Sequence, residues 1–404
     1  MKMLVRMLAV IAAALALVVG ALAAYVALVF DPNDYRDQLA EQVARHSGRA
    51  LTIDGGIGLS LFPWLGAELT DVSLANAPGF GDEPFARIAR AHARVRLWPL
   101  LRGEVEVDRV LLDGLALRLE RDADGLNNWD DLLARSEAGA PQPARPASGT
   151  ADVLGGVAAL AVRGVAIEAA TLSWHDRQRG TQQRFDDIRL RTGEIRPGAA
   201  FPLELGLDVE SSAPAVSARI ELTGEVMLAA DGSRLDIEPL ALRVRGQGED
   251  WPGGEGLLEL DAVVRHELDT GTLTLSPMAV RGFGVEARSE VTVHTAGEDG
   301  PRYAGTLDVA EFGPRELLAA LGQPVDTADP QVLQAARVRA RFDGSTAALA
   351  GEPFELRIDD STLAGKLGVS DFARGALSFD LALDALDLDR YLPPQSEPAA
   401  VATP

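Results

Sequence analysis

The chain's densest run of oxygen donors is Asp122-Ala123-Asp124-Gly125-Leu126-Asn127-Asn128-Trp129-Asp130-Asp131, rich enough in carboxylates and amides to raise calcium binding. A calcium loop places glycine sixth and a chelating glutamate twelfth. This order does neither, so a turn leading into a helix capped by Asn128 is the expectation. The five histidines, His46, His92, His175, His266 and His294, stand far apart, with no pair at the spacing a zinc ion needs. Nucleophile-elbow, P-loop and dinucleotide-fingerprint patterns are absent from the sequence. The glycine cluster Gly246, Gly248, Gly253, Gly254 and Gly256 is broken by Trp251-Pro252 and flanked by strand patterns, which makes it a loop rather than a phosphate cradle. Zero cysteines remove disulfides, thiolate metal sites and cysteine nucleophiles together. No catalytic residue, metal or cofactor is expected.

What remains is apolar surface, and the elements that would display it. From Arg49 onward the dominant period is two, as in Ile57-Gly58-Leu59-Ser60-Leu61, Val95-Arg96-Leu97, Val105-Glu106-Val107 and Leu115-Ala116-Leu117-Arg118-Leu119-Glu120. Half-buried strands follow, with Leu59, Leu61, Val95, Leu97, Val105, Val107, Leu115, Leu117 and Leu119 on their apolar sides. Turn signals at Asp54-Gly55-Gly56, Asp113-Gly114, Asp122 to Gly125, Asp231-Gly232 and Asp343-Gly344 divide the strands at hairpin-like intervals. An antiparallel sheet is expected, because no long helical pattern alternates with the strands to form parallel crossovers. Aromatics make up only 5% of residues, so the inward wall is aliphatic and suits acyl chains as well as an ordinary sandwich interior.

Helices are few. Asp31-Pro32 marks an N-cap with proline at the first helical position, Tyr35, Leu39 and Val43 share a face, and Gly48 supplies the stop. Sheet docking is favoured over a membrane-surface position for this helix, whose polar face lacks basic enrichment. Short helices are expected at Asn128 to Arg135, at Pro314 to Leu321, and for a turn or two after Asp329-Pro330. The proline-rich stretches 139–150 and 393–404 are linker-like. The organisation is therefore an N-terminal segment 1–30, a helix with a first β-segment at 31–138, the loop 139–150, a second β-segment at 151–392, and the tail 393–404. Within the second segment Ala304-Gly305-Thr306-Leu307 through Phe312 matches Ala364-Gly365-Lys366-Leu367 through Phe372, an internal repeat at a spacing of 60.

Met7 to Phe30 is an uninterrupted apolar run, long enough at ~1.5 Å per residue to cross a ~30 Å hydrocarbon layer. Lys2 and Arg6 precede it and Asp31 and Asp34 follow, an asymmetry that puts the N-terminus in the cytoplasm and the bulk outside. Ala21-Leu22-Ala23 offers the alternative of a cleaved signal, but cleavage there would cut inside the run. With 60 acidic against 38 basic residues, the chain is a poor partner for nucleic acid or anionic headgroups.

Several short motifs, in order along the chain, resemble the AsmA family of Gram-negative envelope proteins. They are Asp31 to Tyr35, Gly48-Arg49, Leu59 to Gly66, Val72 to Phe80, Asn128-Trp129 with Asp131-Leu132-Leu133, Leu172 to Gln178, and Leu386 to Pro393. The resemblance implies an inner-membrane anchor carrying a periplasmic, elongated, mostly antiparallel sheet curled into an open hydrophobic groove, similar to bridge-like lipid-transfer proteins. It implies no enzyme. It implies membrane attachment through residues 7–30, a phospholipid or other acyl lipid as cargo, and an outer-membrane partner. A non-catalytic role in assembling outer-membrane proteins is the alternative that the same resemblance leaves open.

Overall fold

The structure, a computed structural model, describes residues 31–60, 64–96, 106–139, 161–295 and 300–394. The anchor expected at 7–30 lies outside them, as do nearly all of the two linker-like stretches. No helix among the described residues is long and apolar enough to cross a membrane. The described residues fall into two compact units, one within Met1–Pro146 and Leu160–Gly180, the other within Ala147–Ala159 and Thr181–Pro404.

The first unit opens as its caps dictate. Asp31 accepts from the Asn33 amide, a 3-10 turn runs over Pro32–Tyr35, and α1 spans Arg36–Ser47 and stops at Gly48, whose φ of 74° a side chain would resist. Helix α1 packs on the first strand but buries no residue fully, and Tyr35 and Leu39 remain exposed. The sheet comprises β1 (Leu51–Ile53), β2 (Ile57–Ser60), β3 (Trp64–Leu74), β4 (Ala86–Arg96), β5 (Glu106–Arg121), β6 (Ala161–Val162) and β7 (Val165–Asp176). Strands β1 and β2 both pair with β3, and β3, β4 and β5 follow as antiparallel neighbours.

Two local expectations fail here for physical reasons. Strand β7 lies parallel to β5, because the chain between them is a long crossover containing α2 (Asp130–Gly139) rather than a hairpin. Asp113-Gly114 is not a turn either. Gly114 sits inside the continuous strand β5 with φ 63°, its Cα against Ala89, and forms one of a row of positive-φ kinks with Asp71 in β3 and Ala169 in β7. The kink falls at the same level in each strand, so the register between strands is unshifted while the alternation within each is reset, and Leu112 and Leu115 face the same side. Without it the leucines that follow would be turned to the other face.

The second unit is an antiparallel meander. Its strands are β8 (Thr181–Thr192), β9 (Ala200–Ser212), β10 (Ala215–Leu228), β11 (Arg234–Gln247), β12 (Glu255–Glu267), β13 (Thr272–Gly282), β14 (Val285–His294), β15 (Arg302–Phe312), β16 (Ala336–Ser345), β17 (Leu349–Ile358), β18 (Ser361–Asp371) and β19 (Ala376–Leu383). From β8 onward each strand pairs with the next, and β19 pairs only with β18 among the described residues. Register shifts recur mid-strand, three of them at Pro239, Pro277 and Pro353, where a residue without an N–H is tolerated because the ladder is already broken. Each bulge bends its strand, so a sheet bulged this often is curved.

Helix α3 (Pro314–Ala320) starts at its proline and leads to Gly322 at φ 75°, close to the expectation. Asp329-Pro330 begins only a turn, held by the Asp329 carboxylate on the Gln331 amide at 2.8 Å. Asp343-Gly344 also lies within a strand, where Gly344 leaves room for the Tyr303 ring. In the two stretches aligned at a spacing of 60, Gly305 in β15 and Gly365 in β18 each lie opposite a phenylalanine, Phe342 and Phe354. The two stretches part after that, one running into α3 and the other into the β18–β19 turn.

Candidate functional site: a half-open apolar sheet face

In the first unit the registers put Leu59 beside Ala67, Val95 beside Leu65 and Val107, and Leu115 beside Ile88. Leu117 and Leu119 follow on the same face, with Leu172 and Trp174 of β7 opposite them. Leu59, Val95, Leu115, Leu117 and Leu119 are thus brought together on one side of the sheet. Leu61, Leu97 and Val105 lie outside the described residues, and Val107 is placed by its pairing alone. Leu59 is exposed and the other four are half-buried.

One end of this face is closed by a buried polar cluster. Asn128, fully buried, accepts from the Glu120 amide at 3.0 Å and donates to the Arg118 carbonyl at 2.8 Å and the Asn76 side chain at 2.9 Å. The Arg49 guanidinium donates to the Asn128 carbonyl at 2.5 Å, grips Asp131 with two nitrogens, and lies 4.6 Å over the Phe85 ring. That guanidinium hydrogen-bonds the Asp131 carboxylate and holds its pKa below the ordinary value, against the opposing pull of burial. Glu120 is bound by Arg118 at 2.6 Å and by Arg177 at 2.7 Å. Trp129 meets Trp174 at a ring-centre distance of 5.3 Å, and the Arg121 guanidinium covers the latter ring.

Two expectations are corrected here. Asn128 does not cap α2 but binds β5, and Glu120, whose alternation suggested a solvent-facing residue, is only 1% exposed. The cluster joins Gly48-Arg49, Asn76, Asn128-Trp129, Asp131 and Trp174 to Arg177, residues drawn from four of the motifs that carried the resemblance. Their long separations in sequence hid the contact, and only their membership in motifs hinted at it.

The second unit repeats the pattern at larger scale. Its apolar face runs through Leu205, Ile220 and Leu242 to Leu260, Val280, Leu307, Leu356 and Leu367, while the opposite face carries cross-strand ion pairs such as Arg219–Asp208 at 2.8 Å and Arg281–Asp261 at 2.6 Å. Among the apolar strand residues described there, only Phe201, Val226, Leu228, Ala262 and Ala336 are buried; most others stay half-covered.

The strand ends of the meander that hold α3 are also the filled ones. Gly246 and Gly256 make room for the Trp251 ring, and Gly253 abuts the Ala320 carbonyl at the end of α3. Asp359 accepts the Leu333, Gln334 and Ala335 amides and the Tyr391 hydroxyl, and Arg390 reaches Asp329 at 2.8 Å. Exposure is greatest at the last strand, with Leu377 71% and Phe379 72% accessible.

No group of histidines and carboxylates among the described residues could hold a metal ion. The run from Asp122 is a turn, in which Asp122 accepts the Asp124 and Leu126 amides at 2.9 Å each, and so spends its oxygen on the backbone.

These features define a class: a mainly β protein whose sheets present half-open aliphatic faces, each filled at one end. The AsmA family profile matches residues 1–256, and the chain belongs to the AsmA family. Protein AsmA of Escherichia coli (strain K12) is 33% identical over 120 residues, which cover 30% of this chain and 19% of that protein.

Proposed function

We propose that the protein is anchored in the inner membrane by residues 7–30, with its sheets in the periplasm, and carries phospholipid along a groove lined by the apolar faces. The carrying observation is the half-open aliphatic face itself. Burying a leucine fully is worth ~1.5–3 kcal/mol, so each half-covered one forgoes roughly 1 kcal/mol that an acyl chain would recover. Family membership and the β fold support a role in envelope biogenesis.

Lipid in the purified exported part, identified by mass spectrometry, is the first test. The sharper one places a charge on the face. Leu117→Glu is expected to block lipid passage, whereas Ala116→Glu, on the exposed opposite side, leaves it intact. A folded Leu117→Glu protein that rescues a deletion strain as well as wild type would show that β5 lines no lipid path. Arg118→Glu is unsuitable as the control, because Arg118 binds both Glu120 and Glu83.

A second reading, a non-catalytic assembly factor for outer-membrane proteins, draws on the outer edge of β19, which has no partner among the described residues. Neither reading involves catalysis. His175 stands beside Glu120 in the β5–β7 register and serves the sheet. His175→Ala should retain activity; loss of activity in a fully folded variant would point to an enzyme.

A further inference from the structure

Strand β19 combines three features that rarely coincide. Its eight residues, Ala376-Leu377-Ser378-Phe379-Asp380-Leu381-Ala382-Leu383, include no proline and no lysine, the residues that usually blunt an edge. Its apolar side is the most exposed of the described strands, at Leu377 and Phe379. The chain also turns away from its outer edge. Asp384 bonds back to Thr362 at the start of β18, and Leu392 then receives the Ala328 amide at 2.7 Å while Tyr391 reaches Asp359, so the described continuation covers the ends of β17 and β18 instead.

We infer that β19 receives an extended segment of another polypeptide as an added strand, with alternating apolar residues beside Leu377 and Phe379 and a basic residue opposite Asp380. Charge selects the occupant. Asp380 lies across from Lys366, but that ammonium is bound to Glu352 at 2.5 Å, and Asp380 has no ion pair among the described residues. Elsewhere in this sheet acidic residues meet an arginine on a neighbouring strand, as Asp208 meets Arg219 and Glu259 meets Arg243. A second copy fits poorly, since antiparallel self-pairing would set two copies of the Ser378, Asp380, Ala382 face together with no base to offset the carboxylates. The inference is independent of lipid carriage and supplies a specific site for the assembly reading.

The test uses the full chain and a synthetic peptide, acetyl-Thr-Val-Arg-Val-Thr-Val-Arg-Val-amide, followed by fluorescence anisotropy and by hydrogen exchange read at residues 376–383. The expected result is saturable binding that protects these amides. At least tenfold weaker binding is expected when alternate backbone amides are N-methylated, and similar weakening when glutamate replaces arginine. Asp380→Lys should reverse the arginine-over-glutamate preference. Equal binding of the N-methylated peptide would mean mere apolar adhesion and overturn the proposal. So would an absence of protection up to 1 mM peptide, full protection of 376–383 in the free protein at every concentration, or protection that grows with protein concentration alone, which would assign the edge to a second copy.

Discussion

The polar cluster around Arg49 and the apolar strand β19 are opposite solutions to ending a sheet. The first takes charged groups out of water and satisfies nearly every one, leaving only the Arg49 Nη1 without a partner among the buried atoms there. The second leaves two large apolar side chains more than two-thirds exposed and a backbone edge with no partner among the described residues. Burying charge is costly unless partners are complete, so the cluster is committed to one arrangement, whereas an exposed edge can exist alone or with a partner. Rigidity belongs to the first unit's helical end and adaptability to the last strand of the second.

The largest expected effect breaks the rigid side. Asn128→Ala strands the Glu120 amide and the Arg118 carbonyl in a buried setting, at about 1–3 kcal/mol each. Arg49→Ala leaves Asp131 and the Asn128 carbonyl without their donor and should cost about 3–5 kcal/mol. Urea unfolding followed by the fluorescence of Trp129 and Trp174 reports it. Losses below 1 kcal/mol in both variants would mean that the cluster does not hold this end together.

A middle-sized effect sharpens the contrast between the two apolar surfaces. Glutamate at half-buried Leu117 must be partly desolvated and should lower stability by about 1–3 kcal/mol, whereas Phe379→Glu, at a side chain already in water, should stay within about 0.5 kcal/mol. Equal losses would show that β19 is covered in solution.

The same contrast governs what could be read from the sequence. Period-two alternation exposed the strands and the aliphatic face because side-chain direction in a strand is set by local geometry. Asp113-Gly114 and Asp343-Gly344 misled because glycine serves equally in a turn, a bulge or beneath an aromatic ring, and only the neighbouring strand decides which. The parallel pairing of β5 with β7 was hidden because α2 is a single short helix on a long crossover. Glu120 and Asn128 were misplaced because burial of a polar residue depends on partners many residues away, here Arg177 and Asn76. Those partners lay inside motifs visible in the sequence, but alternation carries no information about which motifs meet.

The smallest effect concerns the second unit's filled end, where a polar group is held by tertiary contacts as in the Arg49 cluster but nearer to solvent. Tyr391→Phe removes one hydrogen bond to a carboxylate and should cost about 1–2 kcal/mol. The pH dependence follows from the same pair. Burial opposes ionisation of Asp359, but three backbone amides and the Tyr391 hydroxyl outweigh it and leave its pKa below the ordinary value. Its contribution is therefore present above the unfolded carboxylate range and disappears as pH falls through the lowered folded value. Tyr391 moves the other way: burial first, and then its hydrogen bond to Asp359, push the phenol up to about 12. Folding favours the neutral phenol, so this contribution is complete below the unfolded value near 10 and is lost as pH rises from there to about 12. Absorbance near 295 nm should show a late tyrosine ionisation that Tyr391→Phe removes and Asp359→Asn moves to lower pH. A late step that survives Tyr391→Phe would mean that another tyrosine accounts for it and that the contact between the C-terminal motif and Asp359 does not persist in solution.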